Sequence, residues 1–266
     1  MKLSFSTLGC PAWDLSRVVC EAKKNGLDGI ELRGLQGELD FRKISALSPE
    51  KIAETRALLD GLEIPSFSSS LVMDRSADRE ETLRDGKDLI DLCSRDGIGL
   101  IRVFGNEIFP DEDEKKALAH ISAGLAALAG YAEGKNVSIL LEVHGNLTNL
   151  ARLREISEAV PSPAFGILWD VAHTDKEYRD RFTDFYRPLL PRIKHVHLKD
   201  HFRLEKGTKL TDFGTGEIPL RAITESLLAD GYTGYFSFEW EKMWHPELRD
   251  LDEELPLFAE YMRKIG

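Results

Sequence analysis

Acidic and imidazole side chains stand at the ends of four β-rich runs in the second half of the chain. The runs are "ILLEV", "GILWD", "HVHLK" and "FSFEW", and they carry Glu142, Asp170, His197 and Glu239. Two glutamates, one aspartate and one histidine make a donor set for a divalent cation that prefers oxygen ligands with one nitrogen. Mn²⁺, Mg²⁺ and Co²⁺ fit this set, and a relatively hard Zn²⁺ site fits it as well.

A carboxylate at the end of one strand has simpler explanations than metal binding. It more often caps a helix or pairs with a cation, and a lone histidine is usually a hydrogen-bonded core residue or a surface residue. Here four such residues coincide inside apolar runs. Burying Glu142 or Asp170 in such a run without a cation or a partner would be expensive in free energy. The coincidence therefore predicts a metal site.

Eight short β-rich runs alternate with longer helical patterns along the chain. The predicted strands cover residues 3–7, 29–33, 64–70, 100–104, 138–143, 165–170, 195–199 and 235–240. One helical pattern starts with Ser48 as N-cap and Pro49 at the first helical position, and another ends near Gly97. Eight strands alternating with helices predict a single (β/α)8 TIM barrel over residues 1–266.

An open doubly wound sheet is the competing fold for this alternation. Such a sheet would need a glycine-rich fingerprint after the first strand, and "STLGCPAW" is not one. No Pro/Ser-rich linker or charge tract marks a domain boundary. The barrel is therefore the favoured fold.

The barrel predicts where the chemistry lies, because active sites of such barrels form at the C-terminal ends of the strands. The four residues named above then meet at one rim, whereas the first four strands deliver mostly Ser, Thr, Gly and Arg, apart from Glu31. Alternation along the seventh strand directs both His195 and His197 inward. We expect His195 to support His197 from one layer deeper, and His201, in the following loop, to face solvent.

Aromatic residues near the same rim indicate a carbohydrate-sized pocket. Trp13 follows the first strand, while Trp240 and Trp244 follow the eighth. Flat rings pack against the C–H face of a sugar. Alternation along the strand directs Trp240 away from Glu239, so the alternative for Trp240 is a position in the core. Cys10 is expected to form a small pocket wall.

Composition limits the class of partner. The formal net charge of −11 argues against a nucleic-acid partner, which normally requires a basic footprint. No apolar run is long enough for a membrane span, and the N-terminal residues lack the pattern of a signal peptide, so we expect a cytoplasmic protein without a membrane partner. The three cysteines suit reduced thiols, and helical patterns place Cys20 and Cys93 in or half in the core.

The motifs "LSFSTLGCP", "LEVHG", "WDVAH", "HVHLKD" and "GYTGYFSFEWE" resemble, in this order, the sugar (phosphate) isomerase/epimerase family with a xylose isomerase-like TIM barrel. Relatives in that family include ketose 3-epimerases, hydroxypyruvate isomerase and inosose dehydratase. The resemblance covers the whole chain. It implies one bound Mn²⁺, Mg²⁺ or Co²⁺ and a small-molecule carbohydrate substrate.

The resemblance also implies roles for individual residues. The four metal ligands would be Glu142, Asp170, His197 and Glu239, and the two glutamates would double as acid and base. His173 and Arg203 would contact the substrate, and His144 and Trp13 complete the predicted substrate-binding set. The implied reaction is proton transfer beside a carbonyl, with the cation stabilising an enediolate.

Other functions stay open on the sequence alone. The same residues could serve an inosose-type dehydratase, in which Lys199 would assist, or a sugar-binding barrel without catalysis. An abasic-site endonuclease with three zinc ions would need histidines on the third and fourth strands, and none is present.

Gly214 and Gly216 give a weak phosphate-loop signal, but Asp212 and Glu217 beside them favour an unphosphorylated substrate. A homo-oligomer remains open.

Overall fold

The computed structural model describes residues 1–266 and contains ten strands. They are β1 (Lys2–Ser6), β2 (Gly29–Glu31), β3 (Ser66–Val72), β4 (Leu100–Phe104), β5 (Ser138–Glu142), β6 (Phe165–Asp170), β7 (Ile193–Leu198), β8 (Asp200–Arg203), β9 (Thr208–Thr211) and β10 (Tyr235–Phe238). Eight of them form one parallel sheet in the order β2-β1-β10-β7-β6-β5-β4-β3, and β8 pairs with β9 as an antiparallel hairpin. Parallel bridges from Gly29 to Glu63 and from Leu32 to Phe67 join the two ends of the sheet. The predicted TIM barrel is confirmed.

Nine α-helices connect and cover the strands. They are α1 (Leu15–Lys24), α2 (Ile52–Leu59), α3 (Arg79–Asp96), α4 (Glu114–Ala132), α5 (Leu150–Ala159), α6 (Val171–Tyr178), α7 (Phe182–Tyr186), α8 (Leu220–Ala229) and α9 (Leu251–Arg263). Gly97 ends α3 in the left-handed conformation, as its position predicts. None of these helices is long and apolar enough to cross a membrane.

The predicted start of α2 at Pro49 is wrong. Ser48 adopts an extended conformation after a short 3₁₀ helix, and its carbonyl accepts hydrogen bonds from the N–H groups of Lys51 and Ile52. This turn takes up the residues that would have formed the first helical turn. The α-helix therefore begins only at Ile52.

Alternation along the strands separates an apolar outer layer from a polar interior. Outward residues such as Val103, Leu141 and Trp169 pack into the hydrophobic core beneath the helices. The alternate positions of the same strands hold buried polar residues: Ser4, Ser6, Glu31, Ser68, Arg102, Glu142, Asp170, His195, His197 and Ser237. Polar groups buried in this way need partners or ligands, so the functional site is expected in the barrel interior.

Two expectations about burial have different outcomes. Trp240 is a core residue, since its ring packs against Phe238 and its Nε1 donates to the carbonyl of Arg249 at 2.9 Å. The prediction for Cys20 is wrong, because this residue is exposed. Helix α1 buries the opposite face, which includes Val18 and Ala22.

The hairpin of β8 and β9 is fastened to the barrel through Asp200. Its carboxylate accepts hydrogen bonds from the backbone N–H groups of His201 at 2.9 Å, Gly216 at 2.8 Å and Ile218 at 3.2 Å. A Cβ at Gly216 would collide with this carboxylate, so the close approach requires glycine. Asp200 therefore ties the segment after β7 to the loop that precedes α8.

Removing this carboxylate should loosen the hairpin. We expect Asp200→Ala to lower the free energy of unfolding in urea by about 2–3 kcal/mol, because three N–H groups, two of them buried, lose their acceptor. Asp212→Ala is the matched control, since that exposed aspartate pairs with Arg249 on the surface and its loss should cost under about 1 kcal/mol. Equal effects of the two substitutions would contradict the anchoring role.

Candidate active site

Strands β5, β6 and β7 and the residue after β10 bring the four predicted ligands together inside the barrel. One donor atom from each of Glu142, Asp170, His197 and Glu239 lies within 4.8 Å of the others. All four residues are buried, each with at most 5% of its surface exposed. We call these four residues the donor cluster.

The end of β6 fixes one oxygen of the donor cluster. Asp170 caps α6, because its Oδ1 accepts a hydrogen bond from the N–H of Ala172 at 2.9 Å. Its Oδ2 faces the cluster instead, 3.5 Å from Nε2 of His173 and 2.7 Å from Nζ of Lys199. The capping function and a ligand function therefore use different oxygens of the same carboxylate.

Glu31 orients the histidine of the donor cluster. Its carboxylate lies 2.9 Å from Nε2 of His197 and 2.7 Å from Nε2 of His195, and Ser68 Oγ donates to it at 2.6 Å. Nδ1 of His197 faces the other way, 3.2 Å from Oε1 of Glu239. A ring N–H that donates to a carboxylate directs the opposite nitrogen toward a ligand position, so Nδ1 is the nitrogen of His197 available to a cation.

The supporting position of His195 agrees with the expectation, whereas the role of Glu31 was missed. Burial by itself raises the pKa of Glu31, but His197 and His195 outweigh it and hold this pKa well below its usual range. The sequence signal for this role was position, because Glu31 is the one carboxylate at the ends of the first four strands. Its contact with two histidines depends on pairing across the closed barrel, which no local motif reveals.

Lys199 is a buried cation shared by three carboxylates. Its Nζ lies 2.7 Å from Asp170 Oδ2, 2.6 Å from Glu239 Oε2 and 2.6 Å from Glu241 Oε1. Burial lowers the pKa of Lys199, but these carboxylates outweigh burial and raise it well above its usual value. The ammonium group therefore neutralises the side of the cluster formed by β6 and β10.

The two glutamates of the donor cluster have different partners. Nε of Arg102 lies 3.0 Å from Oε2 of Glu142, and the guanidinium stacks on the Phe104 ring at 4.0 Å. Burial raises the pKa of Glu142 to about 7 despite the Arg102 charge. Burial also raises the pKa of Glu239, but His197 and Lys199 outweigh it and hold this pKa well below its usual range.

Two uncharged imidazoles lie beside the donor cluster. The rings of His144 and His173 meet edge to face with centroids 4.4 Å apart, and Phe104 packs against His144 at 5.2 Å. Burial lowers the pKa of both, that of His173 to about 4. The predicted contact residues His144 and His173 therefore form one pair that offers neutral donors and acceptors.

The expectation that His201 faces solvent is wrong. The chain continues from β7 into the hairpin, which packs on α6, and Nε2 of buried His201 lies 3.1 Å from Oδ2 of Asp175. Arg203 donates to both oxygens of the same carboxylate at 2.7 and 2.6 Å. Its fork is thus occupied by Asp175, and a substrate contact for Arg203 stays a prediction.

The predicted rim residues Trp13, Trp244 and Cys10 differ in exposure. Trp13 is buried, and the guanidinium of Arg17 covers one ring face at 4.3 Å, so its contact with substrate stays a prediction. Trp244 is exposed. Burial raises the pKa of the Cys10 thiol well above its usual value, which leaves it protonated and a poor nucleophile.

The residues present fit a divalent cation. The donor cluster offers three carboxylates and one imidazole, and Glu142 Oε2, Asp170 Oδ2 and His197 Nδ1 are buried without a well-formed hydrogen bond. Buried polar atoms in this condition call for a ligand, although charged neighbours lie close. In a second set, Glu31 with His195 and His197, the atoms that face one another, the Glu31 carboxylate and Nε2 of each histidine, already form hydrogen bonds.

Replacing Lys199 tests this charge arrangement. We expect Lys199→Met to lower the free energy of unfolding in EDTA by about 3 kcal/mol, because three carboxylates lose a buried counter-ion. Added Mn²⁺ should raise the melting temperature of this variant more than that of the unaltered protein. Lys264→Met is the control, since Lys264 pairs with exposed Glu260 on the surface. Equal stability of both variants in EDTA would contradict the account.

Comparisons with known proteins agree with the fold. The probable 3-DHS dehydratase AsbF from Bacillus anthracis superposes with a TM-score of 0.81 at 20% identity, over 99% of both chains. The IOLI protein with a bound zinc atom gives 0.77 at 18% identity, over 98% of this chain and 96% of that one. A D-tagatose 3-epimerase-like protein gives 0.76 at 20% identity, over 100% and 98%. A search of curated protein sequences finds no match.

The family profile described as xylose isomerase-like TIM barrel matches residues 19–261. This range includes all four residues of the donor cluster as well as Glu31 and Lys199. The chain therefore belongs to the xylose isomerase-like TIM barrel family.

Proposed function

We propose that the protein is a divalent-metal-dependent isomerase or epimerase that moves a proton on the carbon beside a carbonyl of a ketose or related carbohydrate. The observation that carries this proposal is the donor cluster, four buried ligand side chains within 4.8 Å inside the end of a barrel. Family membership and structural neighbours whose names include an epimerase-like protein support it.

The cation would be held by the donor cluster. Glu142, Asp170 Oδ2, His197 Nδ1 and Glu239 supply the ligands, and Glu31 and Ser68 keep the imidazole in place. When bound, a Mn²⁺, Mg²⁺, Co²⁺ or Zn²⁺ ion acts as a Lewis acid that stabilises negative charge on the substrate oxygens. One of the structural neighbours contains zinc, which is compatible with this donor set.

The proton is moved by Glu142 and Glu239. They belong to β5 and to the end of β10, which are separated in the sheet by β6 and β7, so their carboxylates reach the site from different sides. One carboxylate removes the proton and the other returns a proton on the opposite face, which inverts the carbon centre. During the proton transfer, Arg102 stabilises the negative charge of Glu142, and Lys199 stabilises that of Glu239.

The substrate hydroxyls would be positioned by the pair of His144 and His173. Both rings are neutral near pH 7 and can donate or accept one hydrogen bond at each nitrogen. Part of the His173 side chain is exposed, which places this pair between the buried donor cluster and the solvent. Backbone N–H groups of Gly216 and Ile218 already bind Asp200, which favours a substrate without a phosphate in that loop.

A dehydratase is the second candidate, and Lys199 is the residue that favours it. A cation between Glu239 and Glu241 can assist the departure of a β-hydroxyl after the proton is removed. A structural neighbour is named as a probable 3-DHS dehydratase. Formation of an enone absorbance from a keto-inositol or another β-hydroxy ketone, without epimerised product, would favour this reaction over epimerisation.

The function can be tested by solvent exchange. Ketoses, hydroxypyruvate and a keto-inositol are incubated with the protein and Mn²⁺ in deuterated water, and we expect deuterium at the carbon beside the carbonyl of at least one of them. EDTA should abolish the exchange. Glu142→Gln should lower its rate at least about a hundredfold, because the proton-transfer group is lost.

Glu158→Gln is the control for this substitution, since Glu158 is exposed on α5 and should leave the rate unchanged. Exchange that continues at the original rate in Glu142→Gln, or in protein freed of metal, would overturn the proposal. Binding of a keto sugar without any exchange would indicate a sugar-binding protein instead.

Metal affinity tests the support given by Glu31. We expect Glu31→Gln to weaken Zn²⁺ or Mn²⁺ binding about 10–100-fold in a competition titration with a chromophoric chelator, because His197 loses the carboxylate that orients it. Glu63→Gln removes a carboxylate that pairs with Lys2 at the surface and should leave the affinity unchanged. Equal affinities of the two variants would contradict the orienting role.

A further inference from the structure

Two buried arginines inside the barrel have N–H groups without a partner. Arg33 is 6% exposed and Arg102 is 2% exposed, and Nη1 of each donates no hydrogen bond. Nε of Arg102 also lacks a well-formed hydrogen bond, although Glu142 lies close. Buried guanidinium N–H groups are normally satisfied, so these two side chains call for an acceptor.

Both arginines lie beside β3, on the part of the barrel formed by β2 and β4, outside the four strands that carry the donor cluster. Arg33 follows β2 two residues after Glu31, which places it on the same inward face, and its Nη2 donates to Ser70 Oγ at 2.9 Å. Arg102 lies in β4, in register with Ser68 of β3. Strand β3 with its serines therefore lies between the two arginines.

The positive charge of Arg102 acts on Arg33. Burial first, and the positive charge of Arg102 second, lower the pKa of Arg33 to about 10. The negative charges of Glu239, Glu142 and Glu31 act in the opposite direction. An anion between the two guanidinium groups would remove the repulsion and satisfy the free N–H groups together.

We propose that Arg33 and Arg102 form a carboxylate-binding site, and that the substrate is a sugar acid or a related keto acid. This inference rests on the proposed function, because it places the rest of the substrate beside Glu142. The planar guanidinium fork matches the two oxygens of a carboxylate. A substrate bound there has its acidic end on β2–β4 and its reacting carbon toward the donor cluster.

Other cations near the site are already occupied. Lys199 is bound by three carboxylates, and the fork of Arg203 is bound by both oxygens of Asp175. The backbone N–H groups of the loop before α8 bind Asp200. Among these candidates, Arg33 and Arg102 are the groups with free donors for a carboxylate of the substrate.

Matched pairs of compounds test the site through binding alone. Hydroxypyruvate and dihydroxyacetone differ in a carboxylate against a hydroxymethyl group, and D-fructuronate and D-fructose differ in the same way. Isothermal titration is carried out with Mn²⁺ and, separately, with EDTA. We expect the anionic member of at least one pair to bind about 10–100-fold more tightly than its neutral partner.

Substitutions show which side chains cause the tighter binding of the anionic compound. Arg33→Gln and Arg102→Gln should each remove most of this preference, and Arg33→Lys should retain part of it. Arg33→Gln should also leave the affinity for the neutral member within about twofold. Arg221→Gln removes one exposed positive charge on α8 and should keep the preference in full. Thermal unfolding checks each variant, and Arg33→Gln decides the outcome alone if Arg102→Gln does not fold.

Three results would overturn the inference. They are equal affinity within both pairs, a preference that survives Arg33→Gln, and tighter binding of dihydroxyacetone phosphate than of hydroxypyruvate, which would make the site a phosphate site. The proposed function fails separately. If the anion preference is present but solvent exchange does not depend on Glu142, the carboxylate site stands and the reaction does not.

Discussion

Several buried carboxylates in one barrel interior require nearby positive charge, and the rest of the site follows from this constraint. An isolated ionised carboxylate in such a place would take up a proton or destabilise the fold. The chain meets the requirement with side chains from other strands, since His195 and His197 accompany Glu31, and Lys199 joins three carboxylates at the end of β6 and β10. Oxygen and nitrogen atoms that remain without a hydrogen bond in the donor cluster are those that a divalent cation would take.

Charge is divided unevenly around the barrel, and this division connects the proposed metal site to the proposed substrate. Strands β5, β6, β7 and β10 carry the donor cluster, whereas β2 and β4 carry Arg33 and Arg102. A substrate that spans the interior would therefore meet a Lewis acid and two proton-transfer groups on one side and free guanidinium donors on the other. Glu142 connects the two sides, because it belongs to the donor cluster and contacts Arg102.

Much of the fold and part of the site could be predicted from the sequence. Period-two alternation marks the barrel strands, and the rule that barrel chemistry lies at strand ends selects the donor cluster from many carboxylates. Partners across the barrel could not be predicted in this way, because the contact of Glu31 with His197 depends on closure of the sheet. The hairpin after β7 was also missed, and with it the burial of His201, since four-residue strands carry too little periodicity to separate them from a loop.

The most direct test of the central claim is the anomalous scattering of crystals grown with Mn²⁺. We expect one manganese peak within coordination distance of all four members of the donor cluster, with Nδ1 of His197 as the nitrogen ligand and Nε2 still bonded to Glu31. A peak at another place, or Lys199 retained between Asp170 and Glu239 with no manganese in the cluster, would contradict it.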